Sequence, residues 1–220
     1  MSVNFNTTTS NTNTINTPYT GPATQIMTVM AWIYITTGTG ATTGSWRDII
    51  TVDPNIYMQL YSDGVSIDYG TANHDHNGNV LNLNQWYHTA QVVVPTSTTS
   101  RQIYGYLNGA LEVNVTDNDT SLTCTNICIG NSIFSNYVYP FNGNIKDARV
   151  WNRQLSATDI VDEMNSSVPI HKPGLLFWMP LDDNKTIDKS GRNNIVTTGS
   201  AITFGAGPMN SFPKKRISFQ

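Results

Sequence analysis

Charge is scarce in this chain. Asp, Glu, Lys and Arg make up only 12% of its 220 residues, and the formal net charge is −3. There is no basic stripe, so there is no electrostatic footprint for nucleic acid. No apolar run approaches the roughly 20 residues that a membrane helix needs, and no membrane insertion is expected. The opening residues, MSVNFNTTTS, have neither a basic n-region nor an apolar h-region, so Sec-type export is not expected. Cysteine occurs twice, at Cys124 and Cys128. In an extended strand these two would lie roughly 13 Å apart, at about 3.3 Å per residue. A disulfide needs Cα atoms within about 7 Å, so free thiols are expected. Cys-x3-Cys without a second ligand pair gives no case for a metal, and no cofactor is expected. No nucleophile-elbow motif and no phosphate-cradling glycine loop are present.

Threonine and asparagine, by contrast, together form about a quarter of the chain, well above ordinary usage. They give a neutral surface rich in hydroxyls and amides. Such a surface suits an external binding protein, whereas the free thiols and missing leader suit synthesis in a reducing cytoplasm.

Most of the sequence reads as strand and turn. Strands are expected over 25–36, 47–52, 56–62, 65–69, 85–94 and 126–130, with a loop over 70–84. Large apolar residues on both faces of 25–36 make it a central strand. Trp86, His88, Ala90, Val92 and Val94 share one face of 85–94. Residues 101–115 form a hairpin about Asn108–Gly109, a type I′ pair, which sets Tyr106 beside Leu111 and Tyr104 beside Val113. Val3 and Phe5 suggest a short edge strand in the polar N-terminal segment 1–24.

The organising stretch is 141–164. Ile145 and the pair Ala148 and Val150 fall on opposite sides of a strict alternation, which predicts a bulge near Lys146–Asp147. Ser156 fits a helix N-cap with Asp159 three residues on, and Leu155 and Ile160 form a staple. Ile160, Val161 and Met164 supply one apolar stripe.

Phe141, Gly143, Ile145, Asp147, Asn152, Arg153, Leu155 and Ser156 together resemble the closing segment of a laminin-G-like, or concanavalin A-like, jelly roll. Trp86, His88, Ala90, Tyr106, Asn108 and Gly109 extend the likeness. So do Pro180, Leu181, Asp182, Asp188, Ser190 and Gly191, but in the family such a segment commonly opens the domain, and here it comes last. The order is therefore either circularly shifted, the favoured reading, or residues 174–204 are a truncated second domain. The resemblance implies an all-β antiparallel sandwich over 25–205 with one short helix near 156–164, followed by a tail over 206–220. Pro213 to Arg216 form a basic run within that tail, read as a solvated terminus. The family often carries aspartates near the first strand. Asn6, Thr7, Thr8 and Thr9 stand there, so the resemblance implies no calcium site.

The same fold hosts retaining glucanases, which need two carboxylates about 5–5.5 Å apart. Glutamate occurs only at Glu112 and Glu163, and no strand is expected to carry paired acids pointing one way, so no catalytic residue is expected. His74, Asp75 and His76 could meet a metal ion but read as a solvated loop, and His88 as a hydrogen-bonded core histidine. Candidate glycan contacts are Trp46, Tyr61, Asp68, Tyr69, His74, Asp75, His76, Asn77 and Tyr137, since sugars are held by aromatic faces and loop polar groups. The reading favoured by sequence is a non-catalytic surface protein. It would be a structural, decoration or adhesion component of a phage or other virion, made in the cytoplasm and carried on the particle. Its expected partners are a protein lattice or copies of itself, and a glycan. The alternative is a free-standing carbohydrate-binding lectin.

Overall fold

The computed structural model describes residues 2–5, 14–21, 26–36, 46–71, 74–118, 123–133, 139–182, 185–200 and 202–205. The strands in chain order are β1 (Ser2–Phe5), β2 (Ile15–Gly21), β3 (Met27–Ile35), β4 (Arg47–Asp53), β5 (Ile56–Leu60), β6 (Ser66–Thr71), β7 (Asn77–Val80) and β8 (Trp86–Pro95). They continue as β9 (Arg101–Leu107), β10 (Ala110–Asp117), β11 (Cys124–Ile129), β12 (Gly143–Trp151), β13 (Leu175–Met179), β14 (Thr197–Thr198) and β15 (Ile202–Gly205). One helix, α1 (Ala157–Asn165), follows β12. Two antiparallel sheets face each other. The first has the order β10-β9-β8-β3-β12-β1-β15, with β13 also on β12; the second has the order β14-β2-β11-β4-β5-β6-β7.

The core lies between the sheets because successive side chains point to opposite faces. Val29, Ala31, Ile33 and Ile35 of β3 meet Ile50, Val52, Met58 and Leu60 of the second sheet in one buried cluster. Each large apolar side chain so buried contributes about 1.5–3 kcal/mol. Cys124 and Cys128 are buried free thiols.

β12 carries the predicted bulge. Its register on β3 breaks between Lys146 and Arg149, with Asp147 at φ 55°. The break brings Ile145, Ala148 and Val150 onto the core side together, all fully buried. It also divides the far edge of β12, whose first half pairs with β1 and whose second half pairs with β13. β15 pairs with β1, so residues 175–179 and 202–205 are built into the first sheet.

α1 begins at Ser156, whose side chain accepts from the Asp159 amide while Asp159 accepts from the Ser156 amide. Leu155 and Ile160 are buried against Met30, Ala90, Val92 and Trp151 on the outer face of the first sheet. The expected stripe is narrower than the sequence implied. Val161 is exposed, and Glu163 is buried in its place. Arg149 explains this. It donates to Asp147, to both a carboxylate oxygen and the carbonyl of Glu163, and to the Ser166 carbonyl.

Four expectations need correction. The loop over 70–84 contains an edge strand, β7, paired with β6. The strand at Val3 and Phe5 is internal, lying between β12 and β15. In the hairpin, Leu111 does face Tyr106, but a bulge before Val113 sets Val113 against Gly105 and Tyr104 against Asn114. His88 is buried, edge-on to Trp32 at 5.3 Å, yet its Nδ1 has no hydrogen-bond partner. Burial and the Arg149 charge lower its pKa to about 3, so the ring stays neutral.

Candidate functional site

The outer face of the second sheet is polar because its strands alternate. Ile50, Val52, Ile56, Met58, Leu60 and Ile67 turn to the core. Thr51, Asp53, Tyr57, Gln59, Ser66 and Asp68 therefore turn away from it. Gln59 stands opposite both Asp48 on β4 and Asp68 on β6. Its Nε2 donates to Asp68 Oδ2 at 2.7 Å, and the His76 amide donates to Asp68 Oδ1 at 2.6 Å. Burial raises the Asp68 pKa to about 7 against these hydrogen bonds, and the charge of Asp75 adds to the rise. Gly70 leaves room for the buried Asp68 carboxylate. A Cβ there would lie 3.0 Å from Asp68 Oδ2 and 3.4 Å from the His74 carbonyl oxygen.

Asp48 and Asp53 converge on one residue. The Ser132 amide donates to Asp48 Oδ2 at 2.8 Å, and the Ser132 hydroxyl donates to Asp53 Oδ2 at 2.9 Å. Burial, and then the nearby Asp53 charge, raise the Asp48 pKa well above the usual carboxylate range. These two acids do point one way from one strand, contrary to the sequence expectation. The register irregularity between Asp48 and Ile50 places an extra residue between them and brings this about. Both are fully buried beneath Ser132 and Ile133, so they hold a segment of chain and face no solvent.

The Asp48 amide donates to the Tyr139 carbonyl at 2.9 Å, beside the start of β4. Tyr139 thereby meets Trp46, with ring centroids 5.7 Å apart at 72°. Trp46 also meets Tyr61 edge-on at 6.1 Å. All three rings are half-buried. The Trp46 Nε1 has no hydrogen-bond partner. Three aromatic rings thus close one end of the face, with the indole N–H turned inward, away from solvent.

The opposite end of β6 is a rim. His74 Nδ1 lies 2.8 Å from Asp117 Oδ1, and His76 Nε2 lies 4.0 Å from Asp117 Oδ2. The two imidazoles stack at 6.4 Å. Thr71 also donates to Asp117, and Arg101 Nε lies 3.9 Å from it. Burial lowers the His76 pKa. The His74–Asp75–His76 turn is pinned to the sheet, which differs from the freely solvated loop expected.

The sequence candidates thus fall into two groups. Trp46 and Tyr61 come together beside the start of β6, where the Tyr61 amide donates to the Ser66 carbonyl. Asp68, Asp75, His76 and His74 gather toward its end. Asn77 is exposed on the edge strand, opposite Asp68. Tyr69 leaves the set. It points into the core, donates to the Tyr106 carbonyl, and is fully buried. Tyr137 lies outside the described residues. Gln59 and Tyr139 were missed. The alternation of 56–60 already turned Gln59 outward, but no local pattern marked Tyr139. Glu112 and Glu163 sit elsewhere. Glu112 bonds Asn79 between the two edge strands, and Glu163 anchors α1.

Among solved structures, a candidate carbohydrate-binding protein from Bacteroides ovatus ATCC 8483 is similar. It has a TM-score of 0.64 and 18% identity over 90% of this chain, and the chain spans 60% of that protein. A heptameric SAP-like pentraxin from Limulus polyphemus is similar at a TM-score of 0.55 and 17% identity, over 91% of this chain and 95% of the pentraxin. These identities establish the fold alone. No curated protein matches the chain. Residues 7–161 match a laminin-G model, and with the two-sheet sandwich in place the chain belongs to the concanavalin A-like lectin/glucanases superfamily.

Proposed function

We propose that this protein is a non-catalytic glycan-recognition module, and that the glycan lies against the Trp46–Tyr61–Tyr139 end of the second sheet. The observation that carries the reading is the cluster of three half-buried rings, Trp46, Tyr61 and Tyr139, beside the Gln59–Asp68 pair. A sugar ring offers apolar C–H faces that stack on aromatic rings, and hydroxyls that bond polar groups around them. The similar fold of a candidate carbohydrate-binding protein supports the reading. The chemistry of the carboxylates argues against hydrolysis, because Asp48 and Asp53 are buried and already accept backbone and hydroxyl donors.

A glycan array followed by calorimetry on the best hit tests this. Trp46→Ala is expected to weaken binding by about tenfold or more, in line with about 1–2 kcal/mol for a lost aromatic contact. Tyr61→Phe, which keeps the ring, is expected to bind nearly as the parent does. An array without a hit above background would remove the proposal.

Nothing in the fold or in the similar structures named above indicates the virion role favoured by composition, so the lectin alternative comes first. Location on a particle stands as a separate proposal. Co-sedimentation with large particles at fixed stoichiometry supports it, and a free species near 24.3 kDa in the source material counts against it.

A further inference from the structure

Acidic side chains cluster on and around the proposed glycan face. Asp48, Asp53 and Asp68 are buried beneath it, Asp75 reaches Asp68 from the rim, and Asp63 stands exposed in the turn beside Tyr61. Nearby cations are already engaged. Arg47 is buried and donates to the Gly64 carbonyl at 3.3 Å. His74 and Arg101 face Asp117 on the rim. Asp63 is exposed and accepts from the Val65 and Ser66 amides at 2.9 and 2.8 Å. Its partial burial works against ionisation, but the Ser66 and Val65 bonds and the Arg47 charge outweigh it and hold its pKa below the ordinary value. No carboxylate or sulfate arriving here would meet an uncommitted base among the described residues of this face.

From this charge arrangement we infer that the site takes neutral glycans and rejects acidic ones, such as uronates, sialylated chains and sulfated chains. The inference rests on the glycan-recognition reading and adds the ligand class to it. The rejection is by repulsion. An anionic sugar against the rings would meet the exposed carboxylate of Asp63 in the turn that follows Tyr61, with the exposed Asp75 farther along the face, and repulsion between such charges is screened by salt. Specificity of this kind comes from the element that penalises the wrong ligand, here Asp63 and Asp75, which are the exposed members of the group. Neither is buried, so both can be changed without opening the core.

The test uses matched pairs of polymers: dextran against dextran sulfate, and a neutral galactan against polygalacturonate, by affinity electrophoresis and calorimetry. The parent protein is expected to bind the neutral member about tenfold or more tightly at low salt. The gap should narrow severalfold in about 0.5 M NaCl, because screening weakens repulsion between exposed charges. It should also narrow severalfold in the double variant Asp63→Asn, Asp75→Lys. The Asp63→Asn change removes the charge and keeps an acceptor oxygen for the Val65 and Ser66 amides. Equal or tighter binding of the acidic member by the parent would overturn the inference and leave the glycan reading standing. A gap unmoved by both salt and the double variant would also overturn it, since discrimination would then come from shape. Absence of binding to every neutral and acidic polymer would remove both readings.

Discussion

Asp68 and Gly105 make different demands on their surroundings. Asp68 is a carboxylate on a polar face, yet it is fully buried, and its pKa rises to about 7. The native protein therefore binds a proton there that the unfolded chain, with a pKa near 3.9, has already released. Stability falls as pH rises from about 4 to about 7 and is flat above, because proton uptake accompanies folding in that window. The loss is on the order of 4 kcal/mol. Asp68→Asn removes this dependence and still accepts from the His76 amide. Denaturant titrations at pH 4.5 and 7.5 should show the parent losing more stability than the variant, and parallel curves would refute the assignment. Gly105 makes a steric demand. A Cβ there would fall 2.3 Å from the Tyr69 ring, inside the core. Gly105→Ala is expected to cost about 2–4 kcal/mol, lowering the urea midpoint with little change in slope.

At the scale of elements, α1 is held to the sheet by charge as well as by its staple. Arg149 is buried and bridges Asp147 on its own strand to Glu163 on the helix, while His171 Nδ1 lies 2.9 Å from Glu163 Oε1. Removing one partner of a buried network strands the others, at about 3–5 kcal/mol. Arg149→Met should therefore destabilise strongly by calorimetry. Arg149→Met combined with Glu163→Gln and Asp147→Asn should recover part of the loss, because no uncompensated charge is then left. A triple variant no better than Arg149→Met would show that packing, rather than charge, holds the helix. Here β12 was readable locally and most of its ion network was not. Alternation predicts a bulge from Ile145, Ala148 and Val150, but beyond Asp147 the partners of Arg149 are Glu163 and Ser166, 14 and 17 residues away on α1 and at its C-cap.

Across the whole molecule, the two ends of the described chain meet in one sheet. β1 lies between β12 and β15, and β13 continues the same edge of β12. A chain ended after residue 173 would lose β13, β14 and β15 and leave β12, β1 and β2 with open edges. It is expected to be insoluble or molten, with little near-ultraviolet circular dichroism. Cooperative unfolding of that fragment near the parent temperature would mean that the first sheet is complete without its last strands. Glu112, which accepts from the Asn79 amide at 3.1 Å, closes the opposite side between β7 and β10.

By itself the sequence determined what is local and periodic. The strand alternation, the Asn108–Gly109 turn, the Ser156 cap, the bulge in β12 and the family likeness all depend on residues a few positions apart. Whether Tyr69 or Gln59 would face the core or the outer side of the second sheet was also a matter of parity, legible once the strand boundaries were right. Only the tertiary structure decided which residues gather. It divided the candidates between two ends of β6, drew Tyr69 into the core, and added Tyr139 to Trp46 through a chain segment anchored on Asp48 and Asp53. The physical reason is that register, sheet order and the path of an irregular segment depend on contacts between residues tens of positions apart. A local pattern constrains which face a side chain takes, and burial between distant strands selects its neighbours.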